Sequence, residues 1–314
     1  MLSEPCTVQH KRVLVDAFKV NFITGFVGDN TNDMDAIWRA HTGFYVGNKS
    51  DFARQAAKVN AGGGWNAIVR SIATARSAND SIGLSGLMVA DNIGIVVAYL
   101  IGMVKFGAKF TILPDQIALM NLLVDGLPTY MTPYNPVSDY IMTLPPPKKG
   151  APLVHEQDQP RYNINAMLIV VCANYCFSAA MNDEACAAIK NGPETCFGAF
   201  LIANKLAHLV SNVSRTETVL EVAPWRNPRL VLFAAANFAF YLVAMYVAPF
   251  DKFFGLAPLT QNNWNVIGTM VAGTFVADQL LKVILRSTLF PYPRLAIAIL
   301  VAVCACAFAE FSGV

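Results

Sequence analysis

Charged residues are scarce in this sequence. Only 14% of its 314 residues are charged and 55% are hydrophobic, whereas ordinary soluble domains carry about 25% charged residues. The formal net charge is +2 and no basic run occurs, so the composition gives no reason to expect a nucleic-acid partner. The composition argues against an ordinary soluble domain and favours a polytopic membrane protein.

Histidine clusters and CxxC cysteine pairs are also missing. The four histidines are scattered without ligand spacing, and the seven cysteines contain no CxxC pair, so no histidine metal site is predicted. Cys186 and Cys196 flank a short polar loop and could form a disulfide in an oxidising lumen, with free thiols as the alternative. The N-terminus lacks the apolar core of a signal peptide.

Residues 1–80 have the pattern of soluble α/β structure. The run "VNFITGFVGDN" predicts a buried parallel strand that ends in an acidic turn, and "TGFYVG" predicts a second strand. The run "SDFARQAA" predicts a helix capped by Ser50 or Asp51. An amphipathic helix follows the glycines at 62–64. This is too little for a complete doubly wound domain, and it predicts half of one.

Seven apolar segments from residue 82 onward are long enough to cross a bilayer. They are residues 82–104, 112–131, 164–182, 196–213, 229–248, 264–285 and 294–311. The second contains two prolines, a glycine and Asp125, which predicts a broken helix of the kind that lines ion or substrate sites. The distribution of lysines and arginines over the loops agrees with a cytosolic location of residues 1–80. The predicted fold class is therefore a mainly α polytopic membrane protein with a small α/β segment.

Five stretches resemble, in order, parts of the P-type cation-transporting ATPases of the calcium-pump branch. "VGDNTNDMDAI" resembles the family's hinge loop "TGDGVNDAPAL", and "TGFYVGNKSDFARQAA" resembles the segment after it. "LPDQIALMNLLVDGLPTYMTPYNPVSDYIMTLPP" is similar to the sixth membrane helix and its following loop. "VAPWRNPRLVLF" and "LAPLTQNNWNVIGTMVAGTFVADQLLKVILR" resemble the end of the membrane domain. The resemblance extends from about residue 5 to residue 288.

The resemblance implies three parts. Residues 1–80 would be a remnant of the phosphorylation domain, residues 81–288 a membrane domain similar to helices five to ten, and residues 289–314 an additional transmembrane helix. The sequence contains no "DKTGT" with its phosphorylated aspartate, no nucleotide domain and no actuator "TGE" loop. Phosphoryl transfer depends on groups positioned around that acceptor, so we expect a pseudoenzyme.

The loop after the first strand keeps part of the family pattern. The resemblance makes Asp29 the magnesium-binding acid, and Asn32 and Asp33 match the family's "ND" pair, which orders the phosphorylation site. Asn30 replaces a glycine, and asparagine tolerates the left-handed backbone that glycine adopts. The upstream catalytic lysine has two candidate positions, His10 and Lys11. We expect a relic loop and no cofactor except bound lipids, with weak Mg²⁺ binding at Asp29 as the alternative.

The resemblance also identifies the remains of a calcium site. The family's "SSNVGEVV" becomes "ADNIGIVV", which keeps the ligand Asn92 but puts Ile95 in place of a glutamate. The sixth-helix ligands Asn121 and Asp125 remain, whereas Val124 replaces a threonine. Calcium requires six to eight oxygen ligands. We expect no calcium at a site that has lost these oxygens.

The same resemblance, counted back without gaps from Pro224–Trp225, puts Lys205 at the position of the glutamate ligand in the family's eighth helix. A buried ammonium and a buried carboxylate are each costly in a bilayer, and pairing offsets part of both penalties. We therefore predict a buried ion pair between Lys205 and Asp125, with Asn92 or Asn121 as a further hydrogen-bond partner. The alternative is that Lys205 extends to the membrane interface along a shifted helix.

Three functions fit this sequence. The first is a catalytically inactive accessory subunit that packs against other integral membrane proteins and lipids in a larger complex. The second is the C-terminal half of a split ATPase whose catalytic residues lie on another chain. The third is a channel or carrier that reuses the broken helix. The family suggests that the protein lies in the endoplasmic reticulum or plasma membrane, and an organelle inner membrane such as the mitochondrial one is the alternative location.

Overall fold

A computed structural model describes residues 7–47, 50–62, 64–126, 129–137, 139–143 and 158–286. The chain divides into two compact units. One comprises Met1–Ser77 with Val137–Ala151, and the other comprises Ala78–Pro136 with Pro152–Val314. The predicted boundary near residue 80 lies close to this division. The predicted seventh span, residues 294–311, lies outside the described residues.

The first unit contains a three-stranded parallel sheet in the order β1-β2-β3. Its elements are α1 (Val8–Asn21), β1 (Gly25–Gly28), α2 (Met34–Arg39), β2 (Thr42–Tyr45), α3 (Asp51–Ala56) and β3 (Val59–Asn60). Phe26 of β1 is paired with Gly43 of β2. The two predicted strands and the predicted half of a doubly wound domain are therefore confirmed.

Local sequence explains the short elements of this unit. The Ser50 hydroxyl accepts a hydrogen bond from the Ala53 amide at 3.2 Å, which satisfies one of the free donors at the start of α3. Ile37, Tyr45 and Ala53 form a buried cluster between α2, β2 and α3. Ser50, one of the two predicted capping residues, is the residue that caps this helix.

The second unit is a helical bundle. Its helices are α4 (Trp65–Phe106, which begins in the first unit), α5 (Pro114–Asn121), α6 (Gln159–Asn182), α7 (Glu184–Ala187), α8 (Gly192–Ser211), α9 (Pro228–Tyr246), α10 (Phe250–Phe254) and α11 (Gln261–Arg286). The central helix is α8, and sixteen of its residues are buried. The predicted amphipathic helix after residue 64 is continuous with the first predicted span.

Four described helices are long and apolar enough to cross a membrane. They are the α4 region Trp65–Lys109, and α6, α9 and α11. The predicted span 196–213 corresponds to most of α8, a helix that carries the charged residues Glu194 and Lys205 and is not one of those four. Its burial against other helices makes this polarity tolerable, because a central helix meets protein and not lipid.

The predicted span 112–131 is interrupted, as its composition indicated. After α5 the backbone continues as a π-helical segment, Leu122–Gly126, and a 3₁₀ helix covers Thr129–Tyr134. Such irregular backbone is found in membranes only where protein or a cavity surrounds it. This interruption places Asn121 and Val124 at a point where the regular helix ends.

Candidate ion site and buried polar network

The acidic loop lies at the carboxyl end of β1. Asp29 follows the strand directly and is exposed, as is Asn32, whereas Asp33 is buried. One Asp33 oxygen binds the Lys11 ammonium at 2.6 Å, and the other accepts a hydrogen bond from the Asp29 amide at 3.3 Å. Of the two candidates for the upstream lysine, Lys11 is thus the one that reaches the loop.

The loop is held by its own side chains. Asn30 does not use the left-handed backbone that asparagine tolerates: its backbone is extended, with φ −133° and ψ 166°, and its side chain accepts a hydrogen bond from the Thr31 amide at 2.8 Å. A Cβ on Gly28 would lie 2.5 Å from that of Asp33, so glycine is needed there. In the described part of the chain, no group of three or more His, Cys, Asp or Glu side chains could hold a metal ion.

The membrane unit brings most of the predicted ion-site residues together. The Lys205 ammonium donates a short hydrogen bond to the Asn92 side-chain oxygen, which joins α8 to α4. Lys205 is only 3% exposed, and this burial disfavours the alternative in which its ammonium extends to the interface. The side chain of Asp125 lies outside the described residues, so its predicted ion pair with Lys205 stays a prediction.

A cavity of about 20 Å³ adjoins the Lys205 side chain. Its wall includes Ile95, Asn121 and Val124, and its other lining residues are apolar apart from a tyrosine. This volume is close to the minimum for one water molecule. The cavity is therefore too small for a calcium ion with a hydration shell, and Ile95 and Val124 offer no oxygen ligand from their side chains.

A second buried pair lies one helical turn away. His208 Nδ1 is 3.0 Å from an Asp91 carboxylate oxygen, and both side chains are fully buried. This pair again joins α8 to α4. Sequence reasoning missed both residues, although Asp91 directly precedes Asn92 in an apolar segment and His208 follows Lys205 at helical spacing. Two neighbouring polar links therefore hold these helices together.

Asp278 of α11 is the centre of a larger buried network. The Arg161 guanidinium of α6 binds both of its oxygens, at 2.6 and 2.9 Å. Asn165 donates to the same carboxylate at 2.7 Å, and the Ser211 hydroxyl of α8 donates at 2.5 Å. Asp278 is 0% exposed. Because every one of these groups is hydrogen-bonded to it, the carboxylate ties three helices together at one point.

Cations also hold the loop after α8. The Lys282 ammonium donates to the backbone carbonyls of Ser211, Ser214 and Glu217 at 2.6, 3.0 and 3.2 Å, which satisfies acceptors beyond the helix end. Arg215 donates to Asp158 at 2.6 Å. Burial lowers the pKa of Arg215, but the negative charge of Asp158 contributes to a net upward shift.

Of the two possibilities for Cys186 and Cys196, the structure has free thiols and not the disulfide. Cys186 and Cys196 are both free thiols and both are buried. The Cys196 thiol donates to the Cys176 carbonyl at 3.5 Å. Burial raises the pKa of the Cys186 thiol above its ordinary value, which makes it less reactive at neutral pH.

Comparison with known proteins supports the resemblance. A family model described as "Cation transporting ATPase, C-terminus" matches residues 109–284. An endoplasmic reticulum-type calcium-transporting ATPase 3 of Arabidopsis thaliana is 26% identical over 307 residues, which cover 89% of this chain and 31% of that protein. A calcium-transporting ATPase of Plasmodium falciparum is 22% identical over 318 residues, which cover 87% of this chain and 26% of that protein. The chain thus spans less than a third of either relative.

Proposed function

This chain belongs to the cation-transporting ATPases and corresponds to the C-terminal part of their calcium-pump branch. We propose that it is a member of this family that does not transport calcium. It would serve as a structural subunit of a larger membrane complex. The observation that carries this proposal is the hydrogen bond from the Lys205 ammonium to Asn92 at the family's ion site. The protein's own cation would take the place of a transported one.

The surroundings of Lys205 support this interpretation. A calcium site needs several oxygens that can close around the ion, but Ile95 and Val124 supply apolar surface at two ligand positions. The Asp91–His208 pair lies beside this position. Transport requires helices that can rearrange between two states. Adjacent polar links between α4 and α8 would oppose that rearrangement.

The first unit offers surface for a partner. Parallel sheets are usually covered on both faces, yet this small sheet and its helices leave many large apolar side chains exposed. They are Val13, Leu14, Phe18, Val20, Phe22, Ile23, Trp38 and Phe52. Trp38 is 72% exposed. Exposed large apolar side chains in this number favour contact with further polypeptide.

Native electrophoresis tests the structural role. After gentle detergent extraction, we expect this chain to migrate in a complex with other integral membrane proteins at fixed stoichiometry. Blue native gels followed by mass spectrometry would identify the components. A single species at the mass of the monomer would contradict the proposal. Fractionation of the same membranes would distinguish the endoplasmic reticulum, which the name of the Arabidopsis relative suggests, from plasma or mitochondrial inner membrane.

The split ATPase is the second candidate function. The ion pair between Lys11 and Asp33, with Asp29 exposed beside it at the end of β1, favours a loop that could still meet a phosphorylated partner. This hypothesis expects vanadate-sensitive ATP hydrolysis by the native complex that is lost in the Asp29→Ala variant. Activity that does not depend on Asp29 would exclude it.

A channel or carrier has less support. The cavity at the ion site holds about 20 Å³ and is bordered by Lys205, whose positive charge would repel a cation. Reconstituted protein should therefore show no cation current. A current that changes in the Lys205→Met variant would favour the channel over the structural role.

A further inference from the structure

A groove of about 320 Å³ runs along α8 on the outside of the helical bundle. Ala203 and Ala207 of α8 form its floor, Phe238 of α9 lines one side, and Trp264 and Phe275 of α11 line the other. Between Ala199 and Ser211, every residue of α8 is buried except Ala203, Ala207 and Val210. The groove therefore marks the side on which no helix among the described residues covers the central helix.

The groove has the surface that a transmembrane helix needs. Gly268 and Ala272 of α11 line it with the same four-residue spacing as Ala203 and Ala207, and such small residues allow helix backbones to approach closely. A Cβ built on Gly268 would meet nothing within 4 Å, so there is open space above it. No lining residue is charged, which favours an apolar occupant.

We infer that the occupant is the C-terminal segment of this same chain, residues 289–314. Residues 295–309 contain no charged side chain, and their length and composition predict a transmembrane helix. Helical spacing of i, i+4, i+7 and i+11 places four small residues on one face. These are Ala298, Ala302, Ala305 and Ala309. A helix with this face complements a groove whose floor is also built from small residues.

The position of the segment in the chain matches the position of the groove. Arg286 ends α11, and residues 287–293 can form the turn before Arg294. At about 1.5 Å per residue, Ala272 lies roughly 21 Å before Arg286. Ala309 lies about 22 Å beyond Arg294 on the same scale. A helix that returns antiparallel to α11 therefore brings Ala309 level with Ala272.

The covalent connection favours this segment over a second copy of the chain or a lipid. A helix that is joined to α11 by a short turn has a high effective concentration at the groove. In contrast, a lipid or another copy must bind from the surrounding membrane. The segment would complete the ring of helices around α8, in addition to the structural role proposed above.

Disulfide cross-linking in native membranes tests this inference. The chain with Cys304→Ala and Cys306→Ala receives Ala309→Cys together with either Ala272→Cys or Gly273→Cys. Gly273 is the matched control, because it is adjacent but is turned by about 100° on the helix and a Cβ there meets nothing within 4 Å. Oxidation should produce a 272–309 disulfide within the monomer, identified by mass spectrometry, and the bond should be lost in the control.

Three results would overturn the inference. The first is the absence of a disulfide between residues 272 and 309. The second is an equal disulfide yield in the 272–309 and 273–309 pairs. The third is a disulfide that joins two copies of the chain. A cysteine-independent measurement covers variants that do not fold. A photoreactive phenylalanine analogue in place of Phe238 should cross-link to a peptide within residues 295–309. Cross-linking only to lipid or to another protein would equally contradict an intramolecular occupant.

Discussion

Buried charges in this protein face partners on other helices. Lys205 binds Asn92, Asp91 lies against His208, and Arg161 binds Asp278. An isolated charge within a membrane protein is costly, whereas a paired and hydrogen-bonded charge is much less so. At the scale of the residue, therefore, removal of one partner from any of these pairs should lower the stability of the fold.

Removal of the Lys205 ammonium is the first prediction. Lys205→Met keeps most of the side-chain volume but leaves the groups around it without their cation, so the midpoint of thermal unfolding in detergent should fall. If Asp125 is the counter-charge, Asp125→Asn added to this variant should restore part of the loss. Lys252→Met, at an exposed lysine, is the control and should have little effect. A double variant no more stable than Lys205→Met would exclude the ion pair.

The second prediction concerns the network around Asp278. Arg161→Met leaves a buried carboxylate without its guanidinium and should destabilise the protein by about 3–5 kcal/mol. Arg161→Met with Asp278→Leu removes both charges and should be less destabilised than Arg161→Met alone. Chemical unfolding in mixed micelles measures the differences. Equal stability of the single and double variants would show that the two charges are not coupled.

At the scale of the element, glycine determines how closely two helices approach. A Cβ on Gly94 of α4 would lie 2.8 Å from the Ala166 carbonyl oxygen of α6 and 3.0 Å from its Cα. Both contacts are with backbone, which cannot move without the whole helix. The Asn174 side chain, which donates to the Ala98 carbonyl at 3.2 Å, joins the same two helices. The close contact between α4 and α6 therefore depends on the absence of a Cβ atom at Gly94.

Gly94→Ala is the third prediction. The added methyl group should separate α4 from α6 and destabilise the protein by about 1–3 kcal/mol, as overpacking does. Gly273→Ala is the matched control, since a Cβ there meets nothing within 4 Å, and alanine should stabilise the exposed helix by up to about 1 kcal/mol. Thermal unfolding of both variants gives the comparison. A neutral Gly94→Ala would show that the helices are not packed this closely.

The fourth prediction is a pH dependence in the loop after α8. Glu221 accepts two hydrogen bonds from Arg286, at 2.6 and 3.1 Å, and these lower its pKa from 4.5 to about 2. A lowered pKa means that the pair stabilises the fold above pH 4.5 and that this stabilisation disappears as the pH falls toward 2.

Glu221→Gln tests that dependence. Because both partners are substantially exposed, we expect the free energy of unfolding to fall by only about 0.2–1 kcal/mol at neutral pH. The variant and the unmodified protein should become equally stable near pH 2. Unfolding midpoints at several pH values measure the difference. A difference that stays constant from neutral pH down to pH 2 would contradict the assigned pKa.

The sequence predicted secondary-structure elements better than it predicted contacts between residues that are distant in the chain. Period and composition located β1, β2, the cap at Ser50 and the break after Asn121, because these depend on neighbouring residues. The network around Asp278 could not be predicted, since Arg161 and Asp278 are far apart in the chain and meet only when α6 and α11 pack. The resemblance to a glycine position left the backbone at Asn30 undetermined, and a hydrogen bond from the Thr31 amide to its own side chain stabilises an extended conformation.

At the scale of the whole molecule, a pump-like membrane domain would have become a rigid support. In this proposal, two polar links that are internal to the protein, Lys205–Asn92 and His208–Asp91, occupy the region where the resemblance puts an ion site. The fifth prediction follows from this account. Extraction of the intact complex should retain this chain with its partners even when calcium is chelated, because no calcium is needed to hold its helices together. Dissociation on addition of a calcium chelator would contradict this.

Equilibrium binding of radioactive calcium tests the central claim most directly. The native protein should bind no calcium at the membrane site, since the Lys205 ammonium interacts there with Asn92. The Ile95→Glu and Lys205→Glu double variant, which restores two carboxylates, should bind more calcium than the native protein. Stoichiometric calcium binding by the native protein that is lost in Asn92→Ala would contradict the account.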